Sequence, residues 1–180
     1  MDLFSLDNTK EIFFFLEQCK DVKQSSLHHP EGDVLVHSLQ TFYNGVRESS
    51  NIDLLWAALL HDIGKKVNSL GHEQIGSILL QDYCSVKTLF LIEHHMRIWS
   101  YINGEMKKLS KCEYLVSHPW LPELVQLARW DKMSRDPNKK VVYDKDKILT
   151  ILNKKIDNHF KLPEGKQLIE VGEHSGSNNE

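Results

Sequence analysis

The stretch Leu59-Leu60-His61-Asp62-Ile63-Gly64-Lys65 decides how the chain folds, because it joins an apolar segment to two side chains of types that can bind metals. The preceding residues, 52–60, are almost wholly apolar, which predicts a helix buried on all sides. Asn51 is a suitable N-cap, and Gly64 is placed to end a helix over 52–62 as its C′ residue. A neighbouring histidine and aspartate can both reach one ion that lies close to a helix end. The rest of the chain is then expected to supply the other ligands.

The bulk composition is that of one globular domain: 180 residues, 41% of them hydrophobic and 26% charged. The net charge of −3 provides no general basic field, so wholesale binding of duplex nucleic acid is not predicted. Three widely spaced cysteines without a CxxC pair argue against both a disulfide framework and a thiolate zinc site. No signal-peptide pattern and no apolar run of bilayer length occur, so we expect a cytoplasmic protein that does not bind membranes.

Helical spacing of apolar residues recurs along the chain, and no strand-like alternation persists for more than a few residues. The pattern predicts an all-α fold, a single compact domain of about six to eight helices, and the metal site expected at His61-Asp62 would be at its centre. The domain is expected over residues 1–164, followed by a polar, disordered tail over 165–180. We predict helices at 7–22, from the N-cap Asp33, at 52–62, from Gly71-His72-Glu73, and at 85–96, 121–134 and 144–160, with 97–110 as an exposed connection.

Histidine is the unusual component, since seven of the ten histidines lie between His28 and His95. His37 lies early in the helix that Asp33 caps, and His94-His95 closes the helix over 85–96. Asp131 flanks the inner face of a later helix, and a buried carboxylate is costly unless it is paired or bound to metal. Each histidine has a structural alternative, because a buried imidazole can be satisfied by a backbone carbonyl. If the helix ends converge, nitrogen and carboxylate ligands of this kind suit Mn²⁺, Fe²⁺, Co²⁺, Ni²⁺ or Zn²⁺.

The order of these residues resembles that of the HD-domain metal-dependent phosphohydrolases, whose H…HD…D pattern is matched by His37, His61-Asp62 and Asp131. The closest resemblance in motif is to the HD domain of bacterial tRNA nucleotidyltransferases, and it covers about residues 27–135. It is carried by the segments His29-Pro30-Glu31-Gly32-Asp33-Val34, Ala57-Ala58-Leu59-Leu60-His61-Asp62-Ile63-Gly64-Lys65, Gly71-His72-Glu73-Gln74-Ile75-Gly76 and Glu93-His94-His95-Met96. No paired-carboxylate motif of a nucleotidyltransferase head accompanies them, so a stand-alone HD protein is expected.

The resemblance implies that His37, His61, Asp62 and Asp131 hold a divalent ion. His72, His94 and His95 match, in order, the additional histidines of members that bind two ions bridged by the HD aspartate. The implied cofactor is one or two divalent ions of Mn, Fe, Co, Ni or Zn, with Mg as a further option. Two alternatives stay open: His72 as a surface histidine, and either His94 or His95 as a residue that binds substrate or lies outside the ligand set.

The resemblance further implies hydrolysis of a nucleotide-like phosphomonoester or cyclic phosphodiester by a metal-activated water, with Asp62 and Lys65 as catalytic residues. The partner is then a small phosphorylated substrate, a nucleotide by analogy, with an RNA end as an alternative; the oligomeric state is not predicted. Trp99 and Tyr101 can either stack on a base or pack over the core. The candidates for substrate binding, each with an ordinary surface role as the alternative, are Lys65, His29, Arg97, Arg129 and Lys132.

Two other functions use the same ligand set. Some HD proteins are di-iron oxygenases, which cleave C–C or C–P bonds with O₂. A non-catalytic regulatory module that binds metal is the second alternative, although a pure binder has no need of the complete ligand set and Lys65. The phosphohydrolase is the leading hypothesis.

Overall fold

A computed structural model describes residues 6–160; the predicted tail and the end of the domain at residue 164 lie outside this range. The described chain is all α, as predicted, and its β pairing is limited to one isolated bridge between Lys23 and Asp33. No helix within 6–160 is both long enough and apolar enough to cross a bilayer. The helices are α1 (Leu6–Glu17), α2 (Val34–Glu48), α3 (Ile52–Leu60), α4 (His72–Leu79), α5 (Val86–Ile102), α6 (Leu109–Val116), α7 (Leu121–Met133) and α8 (Lys145–Phe160), with a 3₁₀ turn at Ile63–Lys66.

Helix α3 is the centre of the fold, and every residue from Leu54 to Leu60 is buried. It packs against α2, α5 and α7, which explains why its sequence is apolar on all sides. Gly45 allows α2 to approach closely, because a Cβ atom there would lie 2.9 Å from the ring of Trp130 and 3.0 Å from Leu55. The crossing of these helices therefore depends on a residue without a side chain.

The predicted N-caps are confirmed. The Asp33 carboxylate accepts a hydrogen bond from Val36 N at 3.1 Å, and the Asn51 amide oxygen accepts one from Leu54 N at 3.2 Å. Both satisfy backbone donors that the first turn of a helix leaves free. They determine where α2 and α3 begin, and so where the histidines of these helices lie.

The predicted role of Gly64 is wrong. Helix α3 ends at Leu60, and Gly64 lies in the following 3₁₀ turn without the left-handed φ of a C′ glycine. Its backbone instead approaches the start of α4, where a Cβ atom would lie 2.0 Å from His72 O and 2.8 Å from Gly76 N. Gly64 is required because the turn after Asp62 packs directly on the helix that carries His72.

Two predicted boundaries are also wrong. Helix α1 ends at Glu17 rather than at residue 22, and Asp21 then adopts a left-handed φ of 63°. Helix α5 continues to Ile102, where a connection was predicted, and α6 was not predicted at all. The chain leaves the helical conformation at Gly104, whose φ is +70°. His94 and His95 consequently lie in the middle of a helix and not at its end.

Candidate metal centre

The Asp62 carboxylate lies at the meeting point of five segments of the fold. The end of α3 supplies His61 and Asp62, and α2, α4, α5 and α7 each supply one more side chain. All of these residues are at most 5% exposed to solvent. The structure thus brings together six of the seven predicted metal ligands: His37, His61, Asp62, His72, His95 and Asp131.

The two oxygens of Asp62 face two different pairs of histidines. Oδ2 lies 3.5 Å from Nε2 of His61 and 3.8 Å from Nε2 of His37. Oδ1 lies 3.0 Å from Nε2 of His72 and 3.6 Å from Nε2 of His95. The Asp131 carboxylate adjoins the first pair, with Oδ1 3.1 Å from His37 Nε2. A carboxylate between two groups of nitrogen atoms has the arrangement required to bridge two ions.

The four histidines are oriented in the same way, because each Nδ1 lies within hydrogen-bonding distance of a backbone carbonyl. A carbonyl only accepts, so each Nδ1 carries a proton, and in the neutral form of each ring the lone pair is then on Nε2. Bonds of this kind commonly orient the histidines of metal sites. The pairs are His37 with Ser134 O at 3.1 Å, His61 with Ala58 O at 3.2 Å, His72 with Ser69 O at 2.9 Å and His95 with Ile92 O at 2.7 Å.

The buried Nε2 atoms show that the site fits a metal. Nε2 of His61 makes no hydrogen bond although it is buried, and Nε2 of His37 faces the Asp131 carboxylate. Nε2 of His72 and of His95 lie only 3.1 Å apart, and two lone pairs at that distance repel unless a cation or a proton lies between them. Nitrogen and carboxylate ligands in this number suit Zn²⁺, Mn²⁺, Fe²⁺, Co²⁺ or Ni²⁺.

The electrostatics of the site also favour cations. Burial raises the pKa of Asp62, but its contacts with His72 and His95 and the nearby Lys65 outweigh burial and hold the pKa well below the usual range. Burial lowers the pKa of His61 to about 3, so this ring is neutral. Both features leave the ligand atoms free of protons at neutral pH, which metal binding requires.

Two histidines of this cluster differ from His61: at His72 burial is outweighed by the Asp62 carboxylate, which raises the pKa, and a larger rise occurs at His37. Burial lowers the pKa of His37, but the hydrogen-bonding carboxylates of Asp131 and Glu31 outweigh burial and raise the pKa to about 9. The pKa of Asp131 is held below its usual range by His37, against the effect of burial. These two carboxylates therefore favour positive charge at His37, and a bound cation can take the place of the proton.

Glu31 is a member of the site to which the sequence analysis assigned no role. Its buried Oε1 lies 2.7 Å from Nδ1 of His37 and 2.9 Å from Nδ1 of His29. Burial raises the pKa of the Glu31 carboxyl, but its hydrogen bonds with the two histidines outweigh burial and lower the pKa to about 2. The carboxylate thereby joins a predicted metal ligand to a predicted substrate-binding residue. The spacing of Glu31 between His29 and His37 was the available signal, but it does not indicate which side chains point inward.

Lys65, which was predicted to be catalytic and to bind substrate, lies beside Asp62. Its ammonium group donates to Oδ2 of Asp62 at 2.6 Å and to the amide oxygen of Gln24 at 2.7 Å. A cavity of about 520 Å³ adjoins this point, and Asp62, His95 and Asp131 form part of its wall. Four cationic side chains line the cavity: Lys23, Lys65, Lys132 and Arg135.

The candidates for substrate binding divide into two groups. His29 and Lys132 line the cavity, whereas the structure places Arg97 and Arg129 elsewhere. Arg129 forms an ion pair with Glu48 on the outer surface, and Arg97 lines a separate groove beside α6. The sequence analysis did not single out Lys23 or Arg135, because neither lies in a motif.

His94 is the one predicted metal ligand that the structure does not bring to Asp62. Successive residues of a helix point about 100° apart, so His95 faces Asp62 and His94 cannot. The His94 ring lies 4.4 Å from the Phe90 ring and 5.9 Å from the Tyr114 ring. Neither of its nitrogens has a hydrogen-bond partner.

Of the two aromatic candidates, Trp99 reaches the cavity and Tyr101 does not. Trp99 lines the cavity and donates a hydrogen bond from Nε1 to Oδ2 of Asp131 at 3.2 Å, which helps to orient that carboxylate. Tyr101 is 37% exposed, and it does not line the cavity.

Comparison with known proteins identifies a family and a set of relatives. The HD domain family matches residues 34–151, more than half of the chain. The Multifunctional CCA protein of Teredinibacter turnerae is 37% identical over 71 residues, which are 36% of this chain and 17% of that protein. The Multifunctional CCA proteins of Methylococcus capsulatus and Methylobacillus flagellatus are 33% identical over 82 residues and 28% identical over 116. These alignments cover 42% and 56% of this chain, and 19% and 28% of the relatives.

The chain therefore spans less than a third of the length of these relatives. The predicted resemblance to the HD domain of bacterial tRNA nucleotidyltransferases is confirmed. The alignments concern a part of each relative, and the activity of the whole relative does not pass to this chain with them.

Proposed function

The chain belongs to the HD domain family, and we propose that it is a phosphohydrolase that acts on a nucleotide-like phosphate ester with two divalent ions bound at Asp62. One observation carries this proposal: four histidines turn their Nε2 atoms towards the two oxygens of one carboxylate, beside a cavity with four cationic side chains. Metal ligands and phosphate-binding groups then lie in one place.

The proposed ligand sets follow from the two sides of Asp62. Oδ2 belongs with His37, His61 and Asp131, and Oδ1 belongs with His72 and His95. Bound ions supply Lewis-acid catalysis, in which they activate water as a nucleophile and offset charge on the phosphoryl oxygens. The protein contributes the fixed orientation of the ligands, through the four Nδ1 contacts and the bond from Trp99 to Asp131.

The substrate is held by the cations of the cavity. Lys65 adjoins Asp62 and can contact an oxygen of the reacting phosphate, and Lys132 and Arg135 line the same cavity. A cavity of about 520 Å³ is of a size typical for small-molecule sites. Trp99 and Met96 provide apolar wall beside these cations, which suits a base or a sugar. The resemblance to the CCA proteins supports a nucleotide.

The di-iron oxygenase remains the second candidate, because the same His and Asp ligands can hold two iron ions. The cations in the cavity favour a phosphorylated substrate in either case, so they do not separate the two reactions. The requirement for metal and O₂ separates the two reactions, because an oxygenase requires iron and O₂, whereas the proposed hydrolysis proceeds anaerobically with Mn²⁺ or Co²⁺.

The test is an anaerobic panel of nucleoside monophosphates and 2′,3′-cyclic phosphates with protein loaded with Mn²⁺, Co²⁺, Ni²⁺ or Mg²⁺. We expect release of phosphate, or opening of the cyclic ester, with at least one metal. Asp62→Ala is expected to lose both ions and to reduce the rate to that of the uncatalysed reaction, with helicity retained by circular dichroism. Absence of hydrolysis by the loaded wild-type protein across the panel would contradict the proposal.

A further inference from the structure

A second groove, of about 490 Å³, lies between the C-terminal half of α2, the segment 139–144 and the start of α8. Its walls carry four cations and a single carboxylate, that of Asp144. This local excess of positive charge contrasts with the net charge of −3 of the whole chain. The cations of this groove, called the α2–α8 groove below, are Arg47, Lys139, Lys140 and Lys147.

These cations are not neutralised within the part of the chain that the structure describes. None of the four forms an ion pair with a carboxylate there. Lys139 donates instead to the neutral amide oxygen of Asn44 at 2.8 Å, and Lys147 lies 5.7 Å from the ring centroid of Tyr43. Burial and then the nearby Arg47 lower the pKa of Lys139, and the smaller, opposite effect of Asp136 does not offset them. Like charges held together in this way repel, and an anionic ligand would relieve the repulsion.

Buried polar side chains hold the loop that presents two of these cations. Gln40, which is fully buried, donates from Nε2 to Asp136 O at 2.8 Å and to Lys139 O at 2.9 Å. Asn44 is 4% exposed and accepts the bond from Lys139. The segment 136–139 is therefore tied to α2 at several points. Lys139 therefore occupies a defined position, and Lys140 follows it directly in the chain.

One stretch of chain, residues 132–140, contributes side chains both to the cavity of the metal centre and to the α2–α8 groove. Lys132 and Arg135 line that cavity, and Lys139 and Lys140, a few residues later, line the groove. Along α2, His37 and Arg47 are ten residues apart, or about 15 Å at the rise of an α-helix. About four nucleotides cover that distance at the ~3.4 Å axial spacing of stacked nucleotides.

We propose that the α2–α8 groove binds the phosphate backbone of a single-stranded nucleic acid whose terminal phosphate enters the metal centre. The inference rests on the proposed phosphohydrolase function and narrows its substrate to the end of a strand. A strand is favoured over a compact polyphosphate because Arg47, Lys140 and Lys147 are exposed. Small-molecule sites enclose most of their ligand, whereas a strand lies along an open cationic groove.

The test measures binding of a fluorescent 12-nucleotide oligouridylate with a 3′ phosphate, by anisotropy, in EDTA and at several salt concentrations. The variant is Arg47→Ala/Lys140→Ala, which leaves the bond from Lys139 to Asn44 in place. We expect about tenfold weaker binding. The slope of log K against log salt should fall by about 1.4, since each contact to a single strand contributes about 0.7. The control, Lys108→Ala/Lys111→Ala, removes the same charge from the groove beside α6 and is expected to bind like wild type.

The inference would be overturned if wild type did not bind the strand, or if Arg47→Ala/Lys140→Ala bound it as tightly as wild type. It would also be overturned if the control variant lost as much affinity as Arg47→Ala/Lys140→Ala. Competition by inorganic tripolyphosphate at a concentration that matches the phosphates of the strand would also overturn it, because the groove would then select a compact anion. Since EDTA removes metal, strand binding does not depend on hydrolysis. Wild-type activity on mononucleotides is measured separately, so failure of the groove and failure of the phosphohydrolase proposal are distinguishable.

Discussion

His94 and His95 are neighbours on α5, equally buried and identical in type, yet they lie in two different regions of the molecule. The His95 ring contacts the carbonyl of Ile92 through Nδ1, and its Nε2 faces His72 and Asp62. The His94 ring lies between α5 and α6 against Phe90, and neither of its nitrogens has a partner. Burial lowers the pKa of His94, so this ring is neutral and packs as an aromatic side chain.

The difference shows how the proposed metal ligand His95 differs from a histidine that only packs in the interior. Exposure does not distinguish them, since the two residues are 4% and 2% exposed. The distinguishing features are an acceptor that fixes Nδ1 and a carboxylate that faces Nε2, and only His95 has both. The same two features are shared by His37, His61 and His72.

The same substitution at both positions gives the sharpest form of the comparison. His95→Phe removes a ligand from the Oδ1 side of Asp62, and we expect at least about 100-fold weaker binding of the second ion, since changes to outer groups alone commonly cost 10–100-fold. His94→Phe places a ring of similar size among aromatic neighbours and removes two unsatisfied nitrogens, so both ions are expected to stay bound. Isothermal titration with Mn²⁺ measures both affinities.

Thermal unfolding of the metal-free variants is the control for this pair. His94→Phe is expected to be as stable as wild type or more stable by up to about 1 kcal/mol. Loss of an ion in His94→Phe would contradict the role assigned to His94. Two tightly bound ions in His95→Phe would contradict the role assigned to His95.

Gly64→Ala tests whether the metal side of the molecule depends on close backbone packing. The added methyl group would meet His72 O at 2.0 Å, so we expect a loss of about 2 kcal/mol in the free energy of unfolding, measured by urea denaturation. The shift of α4 should also weaken ion binding through His72.

Gly104→Ala is the matched control, because it lies at the end of α5 with no atom within 4 Å of the added methyl group. Its left-handed φ makes alanine unfavourable by about 1 kcal/mol, but ion binding should not change. Equal effects of the two substitutions on ion affinity would refute the role given to Gly64.

Substitution of Glu31 is expected to have a smaller effect, on the affinity for the ion at His37. Glu31→Ala removes a carboxylate that lies 2.7 Å from His37 Nδ1, and we expect about tenfold weaker binding of the ion at His37. Glu31→Gln keeps an oxygen near the ring and should recover part of this loss. Competition of each variant with a metal-binding dye measures the affinity.

A purely structural role would leave a different pattern, in which both Glu31 variants lower stability and neither changes the affinity for the ion. Circular dichroism during urea denaturation, carried out with and without Mn²⁺, separates the two roles.

Local sequence pattern was sufficient for much of the fold and for the centre of the site. The apolar run of α3, and the caps Asp33 and Asn51, are properties of short segments, and all three were predicted. His61 and Asp62 were found because they follow that run directly. Their partners His37, His72 and Asp131 were assigned by resemblance to a family, since spacing alone does not bring distant helices together.

The remaining features depend on contacts between distant parts of the chain. His94 and His95 could not be separated without the extent of α5, which determines the face that each occupies. Arg129 resembled a phosphate ligand in sequence, but Glu48 on α2 pairs with it outside the cavity. Arg135, Lys23 and Glu31 reach the site from loops, where no periodicity indicates direction. These assignments require tertiary structure.

The central claim is that Asp62 bridges two ions, with His95 and not His94 among the ligands. The most direct measurement is EPR of protein loaded with two equivalents of Mn²⁺, combined with metal analysis after gel filtration. We predict two Mn²⁺ per chain and an exchange-coupled spectrum in wild type and in His94→Phe, and a single uncoupled ion in His95→Phe. An uncoupled six-line spectrum with one Mn²⁺ per chain in wild type would contradict the account.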